Sequence, residues 1–195
     1  MSIQIVVEGA SDVGAAMRLV EHAGLTPGRH FVKGGKALLD RDLPKYNQAA
    51  RHGPWLVLRD ADAECPVDLR ARLLASLHNP APTLVLRVAN SMTEAWLLAD
   101  RSGFAEYFQI SKAIIPSDPD SLPHAKREVV SLCGRSTDRT IRQKMTTLRG
   151  ETGPEYVATI NDFARSTWNV GAAAEVSPSL SRALKRLTEL RGVAR

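Results

Sequence analysis

The sequence predicts an α/β fold: a parallel four-stranded sheet flanked by helices, followed by a mainly helical C-terminal part. Apolar runs of strand length alternate with helical periodicity through the first hundred residues. The runs are continuous rather than alternating, which is typical of strands buried on both faces of a parallel sheet. Beyond Asp100 the strand signal fades. We therefore expect an α/β domain over 1–105 and a helical extension, packed on it, over 106–195.

Each expected strand of the first part is followed by a helix. The strands are predicted in "IQIVV", "HFVKGG", "PWLVLRDAD" and "PTLVLRV". The helices are predicted over 11–22, 36–51, 67–77 and 90–101. In the first helix Val13, Met17 and Val20 recur at helical spacing, while Pro44 makes the ends of the second helix hard to place.

The second part begins with a loop rich in proline and aspartate, "IPSDPDSLP". Helical stretches are expected over 124–133, 137–148 and 154–165. A last helix is predicted to begin in "SPSLSRALKRLTEL", because Ser177 can cap it and Pro178 suits its first turn.

Composition limits the class of protein. With 44% hydrophobic and 24% charged residues, the chain of 195 residues is typical of a soluble globular protein. No apolar run approaches the roughly eighteen residues that a membrane span needs. Cys65 and Cys133 lie far apart without CxxC spacing, which favours reduced thiols in the cytoplasm over a zinc site.

The net charge of +5 comes entirely from the second part of the chain. Residues 1–118 contain thirteen basic and thirteen acidic residues, whereas residues 119–195 contain thirteen basic and eight acidic ones. This excess can screen a phosphate backbone or an acidic partner, or it can be an ordinary solvated helical surface.

Acidic residues follow three of the predicted strands. Glu8 ends the first strand, and Asp60 and Asp62 end the third. Glu94 follows the fourth. In an open parallel sheet these positions share the edge at which ligands bind. Carboxylates that converge there repel one another unless a cation lies among them, and hard oxygen ligands suit Mg²⁺ or Mn²⁺.

The two acidic motifs, "VEGASD" and "RDAD", resemble the signature of the Toprim family, the metal-binding domain shared by topoisomerases, DnaG-type primases and OLD-type nucleases. That signature is a glutamate in an "EG" turn after the first strand and an Asp-x-Asp after a later one. The resemblance covers roughly residues 1–105. The segments "TEAWLLAD", "PHAK", "GPEY" and "SPSLSRAL" are similar to a small stand-alone Toprim-like family that is often encoded beside ABC-type ATPases.

The resemblance implies hydrolysis of phosphodiester bonds in nucleic acid, with Mg²⁺ or Mn²⁺ as cofactor. DNA is favoured over RNA, and the implied setting is phage defence or DNA repair with an ABC-type ATPase partner, while a homodimer is left open. The expected catalytic residues are Glu8, Asp60, Asp62 and Glu94. The expected metal ligands are Glu8, Asp12, Asp60 and Asp62. The expected nucleic-acid contacts are Arg87, Lys126, Arg139, Arg142 and Lys144.

Several of these residues have a second interpretation. Asp12 lies at the start of a helix, where its charge is favourable without any metal. "SMTE" fits a capping box, with Ser91 as the cap and Glu94 at the third helical position. Arg87 and Lys126 suit a phosphate but equally suit surface salt bridges.

Two other functions remain open at this stage. The chain can be a catalytically silent metal-binding subunit of an ATPase complex. It can also be a phosphotransferase or phosphatase that acts on a small molecule, since a fold does not determine a function.

Overall fold

Four parallel strands form one sheet in the order β2-β1-β3-β4, in a computed structural model that describes residues 1–193. The strands are β1 Ser2–Val7, β2 Thr26–Val32, β3 Trp55–Asp60 and β4 Leu84–Ala89. Each neighbouring pair is parallel, so all four carboxyl ends lie along one edge of the sheet. The predicted α/β class, with helices flanking a four-stranded parallel sheet and a helical C-terminal part, is confirmed.

Ten α-helices occur within residues 1–193. Five precede or include residue 105: α1 Val13–His22, α2 Lys36–Ala49, α3 Pro66–Ala75, α4 Thr93–Ala99 and α5 Arg101–Tyr107. Five follow: α6 Ala125–Cys133, α7 Arg139–Met145, α8 Tyr156–Ser166, α9 Val170–Val176 and α10 Pro178–Val193. None of the helices in the described part is long and apolar enough to cross a membrane.

The structure differs from the predicted elements in three places. Strand β2 begins at Thr26, four residues earlier than expected, because an edge strand tolerates Pro27, which precedes a bulge in β2 itself. The helix expected over 90–101 is two helices, and Asp100 between them accepts a hydrogen bond from Gly103 N. Helix α9 was missed because its sequence, "VGAAAEV", has little apolar periodicity.

The sheet separates two layers of apolar side chains. One face packs against α2 and α3, through residues such as Val57, Leu43 and Leu69. The other face packs against α1 and helices α4 to α10, where Trp96 and Phe163 are fully buried. This second core includes side chains from both predicted parts of the chain, and the expected boundary after residue 105 falls inside α5.

Candidate metal centre

Three carboxylates converge at the carboxyl edge of the sheet. Asp12 lies in a short 3₁₀ turn, Ala10–Asp12, that follows β1. Asp60 is the last residue of β3, and Glu94 is in the first turn of α4. One oxygen from each lies within 4.8 Å of the others. We call these residues the buried triad, since Asp12 and Glu94 are only 4% and 3% exposed and Asp60 is half-buried.

Each carboxylate of the buried triad is held by a short hydrogen bond. Gly9 N donates to Asp12 Oδ2 at 2.8 Å. Thr93 N and Thr93 Oγ1 both donate to Asp60 Oδ1 at 3.0 Å, which joins the end of β3 to the start of α4. The hydroxyl of Tyr156, from α8, donates to Glu94 Oε1 at 2.9 Å. The triad is therefore oriented by groups from distant parts of the chain.

Helix α8 also fixes the turn that carries Asp12. Gly14 N donates to Asn161 Oδ1 at 2.6 Å, and Asn161 Nδ2 donates to Ala10 O at 2.9 Å. A Cβ at Gly14 would lie 2.8 Å from the backbone of Asn161, so this close approach requires glycine. The side chain of Asn161 thus holds both ends of the turn.

The buried triad forms no salt bridge with a basic side chain of residues 1–193. Burial and the charge of Glu94 raise the pKa of Asp12 to about 7. Burial and the charges of Asp12 and Glu94 raise the pKa of Asp60 well above its usual value. Three clustered hard oxygen ligands without a counter-charge fit a Mg²⁺ or Mn²⁺ ion.

A second acidic group lies beside the triad but is neutralised by the protein. The guanidinium of Arg59, only 2% exposed, approaches Asp40 at 3.1 Å and Glu8 at 3.4 Å. Lys36 Nζ lies 2.8 Å from Asp62 Oδ2, and Arg59 lies 3.7 Å from the same oxygen. We call Glu8, Asp40 and Asp62, with their two cations, the paired group.

Two predicted metal ligands, Glu8 and Asp62, therefore lie outside the buried triad. The expectation for Asp62 assumed that the strand continues past Asp60, so that alternate residues point the same way. Instead β3 ends at Asp60, and Asp62 has a positive φ of 53°. Glu8 belongs to the paired group but also acts on the triad, since its charge raises the pKa values of Asp12 and Asp60.

The capping-box interpretation of Glu94 does not describe the start of α4. The helix begins at Thr93 and its N-cap residue is Met92, whose side chain forms no capping hydrogen bond. Ser91 has a φ of 61°, and its buried hydroxyl has no hydrogen-bond partner in the described chain. The carboxylate of Asp60 accepts the free Thr93 N–H instead, so Glu94 is available to the triad.

Sequence reasoning missed Arg59, Asp40 and Tyr156. Arg59 carried a signal, because a charged residue inside the apolar strand "WLVLRD" must be paired if it is buried. Asp40 and Tyr156 carried none, since their contacts join residues that are 19 and 62 positions apart.

The predicted nucleic-acid contacts lie in three places. Lys126, in α6, lies 4.9 Å above the ring of Tyr156 and lines a cavity of about 460 Å³. Arg87 lies within β4. Arg139 and Arg142, on α7, line a cavity of about 620 Å³. On the same helix, Lys144 pairs with Glu155 at 3.0 Å.

Comparisons of the chain with models of protein families, with curated proteins and with solved structures find no match. The Toprim resemblance therefore stays a prediction from the sequence motifs. The geometry of the buried triad is the observation on which a function can be argued.

Proposed function

We propose that this protein is a Mg²⁺-dependent nuclease of the Toprim type, which hydrolyses phosphodiester bonds of nucleic acid in phage defence or DNA repair with an ABC-type ATPase partner. The observation that carries the proposal is the convergence of Asp12, Asp60 and Glu94 without a salt bridge to any basic side chain of residues 1–193. A cluster of this kind is unfavourable unless it binds protons or a divalent ion.

Each residue of the triad would supply a carboxylate ligand to the ion. Asp12, Asp60 and Glu94 each present a carboxylate whose position is set by a hydrogen bond from Gly9, Thr93 or Tyr156. When bound, Mg²⁺ polarises phosphoryl oxygens and lowers the pKa of a bound water. Glu8 follows β1 at the same edge of the sheet, and burial raises its pKa, so it is the residue that we assign as the base for an attacking water.

A basic cavity beside the triad is suited to the substrate phosphate. Lys126 lies over the ring of Tyr156, which is bonded to Glu94, and the charge of Lys126 lowers the pKa of Asp12. His124 and Arg127 line the same cavity. In this arrangement an ammonium group lies next to the carboxylates without pairing with them, so it can attract a phosphate oxygen.

The test is a cleavage assay on single- and double-stranded DNA and RNA with Mg²⁺, Mn²⁺ or EDTA. We expect metal-dependent cutting that Asp60→Asn reduces at least about 100-fold, since even outer-shell changes cost about 10–100-fold. The control Asp68→Asn changes an exposed acid on α3 and should cut normally. Cutting in EDTA, or by Asp60→Asn at the wild-type rate, contradicts the proposal.

Two additional measurements separate the alternative functions. Hydrolysis of p-nitrophenyl phosphate but not of its diester analogue would identify a small-molecule phosphatase. Metal binding without cleavage, even after addition of an ABC-type ATPase partner, would identify a silent metal-binding subunit.

A further inference from the structure

A cluster of arginines lies beside β4, an outermost strand of the sheet. Arg87 projects from β4 on the face that packs against α10, and Arg182 comes from α10 itself. Arg70 reaches the same place from α3, on the other face of the sheet. The three side chains line one cavity of about 160 Å³, together with Ser179 and Val88. We call them the edge arginines.

The edge arginines are not neutralised within the described part of the chain. The salt bridges of residues 1–193 include none of the three, and the nearby Glu189 pairs with Arg186 at 3.6 Å. The Nε atom of Arg87 is buried and has no hydrogen-bond partner. Burial and the charges of Arg70 and Arg186 lower the pKa of Arg87 to about 10.

Protection of the sheet edge explains part of this arrangement but not all of it. Arg70 Nε donates to Leu86 O, and Arg186 Nη2 donates to Pro82 O. These bonds satisfy carbonyls near an edge strand, and charged side chains there prevent pairing with other chains. That role explains neither why Arg87 and Arg182 share the cavity with Arg70 nor why a buried donor is left without an acceptor within residues 1–193.

We propose that the edge arginines form a phosphate-binding site. Guanidinium groups present planar forks of donors that match phosphate oxygens, and an anion among them removes their mutual repulsion. The cavity is smaller than the about 300–1,000 Å³ of sites that hold drug-sized ligands, so it suits one phosphate group.

We assign the bound phosphate to the backbone of a nucleic-acid strand. This assignment rests on the proposed nuclease function. The cavity reaches the carboxyl end of β4, because Ser179 lines it and Asn90 N donates to Ser179 Oγ. The buried triad lies at the same edge of the sheet. A strand cut at the triad can therefore leave a second phosphate at the edge arginines.

The experiment measures binding of a labelled single-stranded DNA by fluorescence anisotropy in EDTA over a series of salt concentrations. For Arg182→Gln and Arg87→Gln we expect affinity to fall about tenfold at low salt, and the slope of log K against log salt to decrease by about 0.7 per lost contact. Arg182 is exposed, so its variant tests the site even if Arg87→Gln unfolds.

The matched control is Arg72→Gln, which removes the same charge from the helix that carries Arg70. Arg72 pairs with Glu64 at 2.6 Å, and residues two apart on a helix do not face the same way. This variant should keep the wild-type affinity and salt slope. If the Arg87 and Arg182 variants match Arg72→Gln in every readout, the proposal is overturned.

A second arm distinguishes a strand from a free phosphate. Inorganic phosphate should raise the melting temperature of the wild type more than that of Arg182→Gln. If this difference appears while DNA binding is unchanged, the site is supported but its ligand is a small phosphate compound. Failure of the nuclease proposal has another signature, because Mg²⁺-dependent cutting is then absent while the salt-slope difference in EDTA persists.

Discussion

The buried triad and the paired group contain the same kind of side chain at the same edge of the sheet, yet their charges are balanced in opposite ways. In the paired group, Arg59 and Lys36 lie against Glu8, Asp40 and Asp62. In the triad, the nearest polar partners are Thr93, Tyr156 and the Gly9 amide, which donate hydrogen bonds but carry no charge.

This difference indicates which carboxylates need something from outside the chain. A neighbouring guanidinium favours the anionic form of a carboxylate, so the paired group has its counter-charges within the chain, although burial still raises the pKa of Glu8. The carboxylates of the triad are desolvated without a salt bridge to any basic side chain of residues 1–193, and the pKa values of Asp12 and Asp60 rise accordingly. A cluster of acidic residues therefore does not by itself identify a metal site. A cluster whose carboxylates form no salt bridges is a more specific indication.

The largest effect should come from comparing two single substitutions, one in the triad and one in the paired group. Millimolar Mg²⁺ or Mn²⁺ at about 100 times Kd should raise the melting temperature of the wild type by about 5–10 °C. Asp60→Asn should lose this increase together with cleavage, whereas Asp62→Asn should keep most of both, because Lys36 and Arg59 already neutralise Asp62. Calorimetry with and without metal measures the increase. Equal responses of the two variants would remove the distinction between the groups.

The pH dependence of the metal-free protein should be the next largest effect. Folding raises the pKa of Asp12 from 3.8 to about 7, so the folded protein binds more protons than the unfolded chain between these values. The stabilisation is complete below about pH 4 and is lost as the pH rises through about 7, an effect on the order of 4 kcal/mol. Chemical denaturation in EDTA at pH 5 and pH 8 measures the part that falls between these values, about 2.5 kcal/mol. Asp60→Asn should reduce the loss, and a wild type that gains stability over this range would contradict the electrostatic argument.

Removal of the cation from the paired group should make that group resemble the triad. Arg59→Met leaves Glu8 and Asp40 without their buried partner, which should cost about 3 kcal/mol of unfolding free energy. Added Mg²⁺ should restore part of the loss. Arg72→Met, at an exposed pair, should cost less than about 1 kcal/mol. If Arg59→Met is as stable as Arg72→Met, Arg59 does not balance the paired group.

The smallest effect should come from removing one uncharged partner of the triad, the hydroxyl of Tyr156. Tyr156→Phe removes the hydroxyl that donates to the buried Glu94 and should cost about 1.5 kcal/mol of stability, with weaker Mg²⁺ binding. Tyr107→Phe, which loses a bond to the exposed Asp162, is the matched control and should leave Mg²⁺ affinity unchanged. Isothermal titration of Mg²⁺ into each variant gives the comparison. Unaltered affinity in Tyr156→Phe would mean that the hydroxyl does not position Glu94.

The sequence was sufficient for the sheet and for the edge at which acidic residues meet, because continuous apolar strands separated by helices imply parallel pairing. It was not sufficient to choose among the acids. That choice depends on where a strand stops: β3 ends at Asp60, and the positive φ of Asp62 turns its side chain towards Lys36. It also depends on the 3₁₀ turn that brings in Asp12 and on the contact between Glu94 and Tyr156. Neither leaves a local pattern in the sequence.

The hydrogen bonds that join Asn161 to Ala10 and Gly14 determine when the Ala10–Asp12 turn can be fixed in the newly synthesised protein. Asp12 leaves the ribosome early, but the side chain that fixes its turn is at position 161. Domains are synthesised at about 5–20 residues per second, so roughly 7–30 s separate the two events. In the later part of that interval, after Glu94 has been made, the nascent chain has all three carboxylates of the triad before it has the helix that orders them. The acidic centre can thus be completed only after α8 has been synthesised.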